Sequence, residues 1–285
     1  MTNHRSDLPT ENHAGFRRKG AGRRWLVASA AVWAVLLMAA AGFSARHDAP
    51  TVREQRDLAA ADTVVDTALG AVLAAAHPWP VLEITSDLVS PGCRITPFRD
   101  GASLSRRLLL ALPEHHTTDA LTLLAQRLPA GYRASVAASP GAAPTLQADA
   151  GGFVSVRGIA SAPDTITVTV DSGCRPPARL APAPSVDERD RAVLAPVAAA
   201  LGGSADQFSA VQVPCPGGGT ARAVTATVAG VPVQQRWAPA LRAISEGTVV
   251  LVDDAARFAY RTATGTVTVR RDSDRLAATA VTGCP

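Results

Sequence analysis

The sequence predicts an α+β protein: an N-terminal transmembrane helix followed by two tandem αββαβββ-like units, each a two-layer sandwich with an antiparallel sheet and one disulfide. Three observations predict it. Residues 25–45, "WLVASAAVWAVLLMAAAGFSA", run without a charge. All four cysteines (Cys93, Cys174, Cys215 and Cys284) lie beyond that run. A series of landmarks then recurs in the same order in both halves of the remainder, and each series closes on Gly-Cys.

The tail, residues 1–24, carries six of the 28 basic side chains (Arg5, Arg17, Arg18, Lys19, Arg23 and Arg24) and two of the 24 acidic ones. It therefore holds the whole formal charge of +4, and from Arg46 onward 22 basic residues face 22 acidic ones. A balanced body has no net field for phosphate polyanions, which argues against nucleic-acid binding. Arginine supplies all the basic residues but Lys19, a bias we attribute to a GC-rich bacterial genome.

The 21 uncharged residues are long enough, at 1.5 Å per residue, to cross a hydrocarbon core of ~30 Å. "RRKGAGRR" before them stays cytoplasmic by the positive-inside rule, so the expected topology is single-pass with the C-terminal region extracytoplasmic. The alternative is secretion after signal cleavage, for which "AAAGFSA" offers small residues, although the apolar run exceeds the usual signal length. Both readings place the cysteines in an oxidising compartment.

After a juxtamembrane segment (46–57), unit 1 is expected over 58–176, a Pro-rich linker over 177–185 and unit 2 over 186–285. An Ala-rich amphipathic stretch opens each unit, at 58–76 and 186–203. A short strand and a cysteine follow, "VLEITSDLVSPGC" against "ADQFSAVQVPC". Next comes an apolar strand ending in Pro (106–113; 223–232), then a helix ending at Gly131 or Gly247. The first of these helices reads as capped by Thr, with Leu121, Leu124 and Leu128 at helical spacing. Each unit then reaches Val-x-Val-Arg (154–157; 267–270) and its final strand, "TITVTVDSGC" against "LAATAVTGC". Four cysteines permit three pairings. The repeat selects Cys93 with Cys174 and Cys215 with Cys284. Strict alternation at Thr165 to Val170 marks a sheet with one face solvated and one covered by helices, and separate units imply separate cores.

No motif in the exported part carries a recognisable catalytic chemistry. "PCPGGGTAR" lacks the lysine of a phosphate-binding loop, and no Ser-x-x-Lys or Schiff-base lysine is possible where the sole lysine lies in the tail. His115 and His116, with Glu114, lack ligand spacing and read as loop residues. Asp253 and Asp254 read as a hairpin turn. No catalytic residue, cofactor or metal site is assigned. Trp79 and Trp237 read as core anchors. Arg157 and Arg270, placed alike by the repeat, are the candidate contacts for an anionic envelope ligand or a protein partner. The expected role is a non-enzymatic, membrane-anchored binding or scaffold protein of a bacterial envelope. The alternatives are an envelope sensor acting through a cytoplasmic partner of the tail, and an exported hydrolase with an unfamiliar site.

Overall fold

A computed structural model describes residues 20–47, 56–113, 116–138, 142–231, 237–272 and 275–284. The chain divides into two compact units at residue 50. In the first, helix α1 (Gly20–His47) spans 28 residues. Its segment Trp25–Phe43 has a mean hydropathy of 2.2 and is exposed along its length. It has the length and hydropathy of a membrane span or an export signal.

The second unit opens on α2 (Leu58–Ala76), where the Asp57 carboxylate accepts a hydrogen bond from the Ala60 amide (2.9 Å) and so satisfies a free N–H of the first turn. This helix is also apolar enough to cross a membrane by composition, but most of it is buried in the protein. Strands β1 (Val81–Ile84), β2 (Leu88–Thr96) and β3 (Arg99–Ala111) follow, then α3 (Thr117–Arg127). The N-cap of α3 is His116, which makes no side-chain capping bond, so the expected threonine cap is not formed. Strands β4 (Ser135–Ala137), β5 (Thr145–Asp149), β6 (Ser155–Ala162) and β7 (Thr165–Asp171) complete the first half. The second half contains α4 (Glu188–Ala200), β8 (Ser204–Pro214), β9 (Thr220–Ala229), α5 (Ala238–Ile244), β10 (Val250–Asp253), β11 (Arg257–Arg261), β12 (Gly265–Asp272) and β13 (Arg275–Thr282).

Two antiparallel sheets result. Among the described residues the first runs β1-β3-β7-β6-β5-β4 with β2 also on β3, and the second runs β10-β11-β12-β13-β9-β8. Strands β1 and β2 pair with successive stretches of β3, so together they occupy the place that β8 holds beside β9. Read that way, the two sheets have the same strand order. The interruption at residues 85–87 in the first sheet is matched by a bulge between Asp206 and Ser209 in the second, where Gln207 has φ 46°. Each half has four strands after its second helix where three were expected. The additional β4 and β10 are edge strands of three and four residues, too short for a periodic signal.

Ile166, Val168 and Val170 of β7 are fully buried beneath α2 and α3, and Thr167 and Thr169 point the other way; Thr165, at the strand start, is buried. Below α4 and α5, Val267, Val269, Phe258 and Leu276 form the corresponding core of the second sheet. The expected separation of cores nevertheless fails on the second sheet's other face. Val211, Val213, Ala221, Ala223 and Val281 belong to the core built around α2. Gly70 makes that approach possible, since a Cβ there would lie 1.9 Å from the Pro214 carbonyl oxygen at the end of β8. Strand β1 lies against β12 and β13, and the Thr266 hydroxyl donates to the Val81 carbonyl. The second sheet is thus covered on both faces, and its Thr266, Thr268 and Thr279 are buried. The proline-rich segment joining the halves is also docked: the Leu58 amide donates to the Pro176 carbonyl (3.0 Å), and Ala178 and Leu180 pack on the core.

Both disulfides close within a half. Cys93 pairs with Cys174 across 81 residues and Cys215 with Cys284 across 69, and no cysteine is free. Each ties an early strand, at Cys93 within β2 or at Cys215 just after β8, to the chain just beyond the last strand, as the repeated Gly-Cys predicts.

Candidate functional site

A helix-to-strand ion clamp in each half sets the local geometry. In the first, Asp62 and Asp66 lie one turn apart on α2 and face Arg106 of β3, whose Nε donates to Asp87 in the loop after β1. One guanidinium therefore answers three carboxylates. Arg106 is 8 % exposed and burial lowers its pKa. Asp87 is pushed up to about 6, first by burial and then by the neighbouring Asp62 charge. In the second half the exchange is one to one: Arg222 of β9 donates to Asp190 of α4 at 2.5 and 3.0 Å. That hydrogen bonding holds the Asp190 carboxyl below its usual range.

Asp87 also stands in the wall of a cleft of about 470 Å³, formed where β1 and residues 85–87 lie over the outer face of the second sheet. Four arginines line it: Arg107 of β3, Arg257 of β11, and Arg270 and Arg271 of β12. Arg257 and Arg270 stand directly opposite each other across β11 and β12. Glu83 of β1 reaches Arg270 at 3.3 Å, and Asp272 reaches it at 3.2 Å. Among the described residues no carboxylate pairs with Arg107, Arg257 or Arg271. The rest of the lining includes the hydroxyls of Thr85, Ser86, Ser209 and Thr225.

The repeat brings Arg157 and Arg270 to corresponding strands but not to corresponding surroundings. Arg157 is exposed, opposite Thr169 of β7. Arg270 is half-buried and ion-paired, because β1 covers the face that is open to solvent in the first sheet. Their registers also differ: Thr169 lies five residues before its Gly-Cys cysteine, whereas Ala277, the partner of Arg270, lies seven before its own. Arg157 does not line the cleft. The residues missed from sequence are Arg107, Arg257 and Arg271, together with the Arg106 clamp. A signal for the clamp existed: two aspartates at i and i+4 interrupt the otherwise apolar α2 and require a buried cation.

The other motifs have structural places. The Asp254 carboxylate accepts from the Ala256 and Arg257 amides at 2.7 and 2.6 Å in the β10–β11 turn, and Asp253 pairs with Arg242. The glycines after Cys215 form the β8–β9 turn, with φ 94° at Gly218 and 75° at Gly219, values that glycine adopts without strain. Trp237 is buried in the second core and Trp79 packs on the first, beneath Arg127. His116 is exposed, while Glu114 and His115 lie outside the described residues. Among the described residues no group of three or more His, Cys, Asp or Glu is placed to hold a metal ion. No protein-family profile, curated protein or solved structure matches the chain.

Proposed function

We propose that this protein is a membrane-anchored, extracytoplasmic binding or scaffold protein of a bacterial envelope, held by α1 with its basic tail in the cytoplasm. Support for the compartment comes from the pairing of an apolar helix with two disulfides, which persist where conditions are oxidising. Support for the binding role comes from one observation, the collection of arginines without structural partners in the cleft. Arg257 is half-buried while Arg107 and Arg271 are exposed, so an external anion can reach all three guanidiniums and serve as their counter-charge. The body itself is a tandem duplication: the common strand order and the intra-half disulfides support it beyond the sequence landmarks.

Site-specific photo-crosslinking of the full-length protein in intact envelopes tests this reading. A photoreactive residue at Ser86, on the cleft wall, is expected to capture an envelope component, whereas one at exposed Arg189 on α4 is not. Externally added protease should digest the C-terminal part in spheroplasts and spare the tail. Crosslinks formed only from residues 1–24 would favour a regulator acting through a cytoplasmic partner, and protection of the C-terminal part would overturn the orientation.

A further inference from the structure

We propose that the cleft between β1 and the outer face of the second sheet is a phosphate-binding site, with Arg257 and Arg107 as its principal contacts and Arg271 at its rim. The inference deepens the binding role above and names its ligand chemistry: a phosphate group borne on a hydroxyl-rich carrier.

Charge balance within the cleft carries the argument. Its two carboxylates are already engaged, Glu83 by Arg270 and Asp87 by Arg106. Among the described residues the lining holds four arginines against these two carboxylates, a surplus of two positive charges, with Arg107, Arg257 and Arg271 outside any ion pair. Arg257 is held directly across the ladder from Arg270. Arg270 is itself answered by Glu83 and Asp272, which leaves Arg257 as the guanidinium of that pair with no carboxylate among the described residues. An anion seated between the outer guanidiniums gains charge-assisted hydrogen bonds from forked donors. A carboxylate offers two oxygens. A phosphate offers more acceptors and up to two charges, which suits three guanidiniums flanked by hydroxyls at Thr85, Ser86, Ser209 and Thr225. Among the described residues the cleft lining contains no aromatic ring, so it favours a polyol over a base or an aryl group.

The test is titration of the detergent-solubilised full-length protein with inorganic phosphate at constant ionic strength, chloride being the reference. Phosphate is expected to raise the melting temperature and to bind with a Kd of about 1 mM. Arg257→Gln and Arg107→Gln should each weaken binding about tenfold, and Arg189→Gln should not. With chloride alone Arg257→Gln should melt close to the wild type, because the substitution breaks no ion pair among the described residues. Absence of a phosphate-specific shift, equal weakening by Arg189→Gln, or a lower melting temperature of Arg257→Gln in chloride overturns the assignment. Such a failure leaves the envelope crosslinking result untouched, so the two readings fail separately. Two further arms locate the source of the phosphate. Competition by glycerol 1-phosphate with none by phosphatidylglycerol vesicles supports a soluble or polymeric carrier, and competition by the vesicles supports a lipid headgroup.

Discussion

The two sheets have one strand order and opposite fates for their outer faces. On β7 of the first sheet, Thr167 and Thr169 meet solvent, as a half-buried antiparallel sheet requires. On β13 of the second, Thr279 is buried, and Val281 joins the core around α2 together with Ala223 of the neighbouring β9. A common strand order repeats what lies within each half, whereas the contacts between the halves cannot repeat, since each half has only one neighbour. The ion clamps differ for the same reason. The first lies at the crowded junction and gathers three carboxylates; the second lies on the free side of its sheet and gathers one.

The largest expected effect comes from removing the neighbour. A fragment of residues 186–285 uncovers Val211, Val213, Ala221, Ala223 and Val281, and at ~1 kcal/mol or more for each the loss is on the order of 5 kcal/mol. That is comparable to the whole stability of a small domain. The fragment should therefore fail to unfold cooperatively in urea, whereas residues 56–285 should show a single transition. Cooperative unfolding of the fragment would mean that the covered face contributes little.

Breaking one disulfide sharpens the comparison. In the chain-entropy model, loops closed across 81 and 69 residues are each worth ~4 kcal/mol. Cys215 is itself part of the shared core, whereas the Cys93 strand β2 is mostly exposed. Replacing Cys215 and Cys284 by Ser should lower the common melting transition of both halves. Replacing Cys93 and Cys174 should lower it less and should raise amide exchange first in the β2–β3 hairpin. Two separate transitions after either change would restore independent units.

The smallest effect is a pH signature with opposite signs in the two clamps. Asp87 has a folded pKa of about 6, above its ordinary 3.8. Its contribution is fully present below that ordinary value and is lost as pH rises through 6. Asp190 is shifted down, so its contribution is present above the ordinary value and is lost as the pH falls through its folded pKa. Asp87→Asn should raise neutral-pH stability by about 1 kcal/mol after solvent screening and flatten the urea-midpoint profile between pH 4 and 7. Asp190→Asn should instead lower stability at neutral pH and leave it unchanged in strong acid. An unaltered slope in Asp87→Asn would show that Asp87 does not carry the pH dependence in this window.

Much of this architecture is legible in the sequence because it depends on local order. The disulfide partners, the helix before each sheet and the inward set Ile166, Val168 and Val170 all follow from periodicity and repetition. The cleft is not legible, since Arg270 meets Glu83 across 187 residues and across the two halves. Nothing in "VTVR" distinguishes a strand face open to water from one roofed by β1. Arg107, Arg257 and Arg271 likewise become neighbours only when β1 and residues 85–87 settle on the second sheet.

Gly70 has a consequence for how such a chain can change over generations. Because the helix backbone meets the Pro214 carbonyl with no side chain between, any other residue at position 70 must be matched by a shift of β8. Substitution at position 70 in one half is therefore tied to the backbone of the other, and at this contact the two halves have to change together.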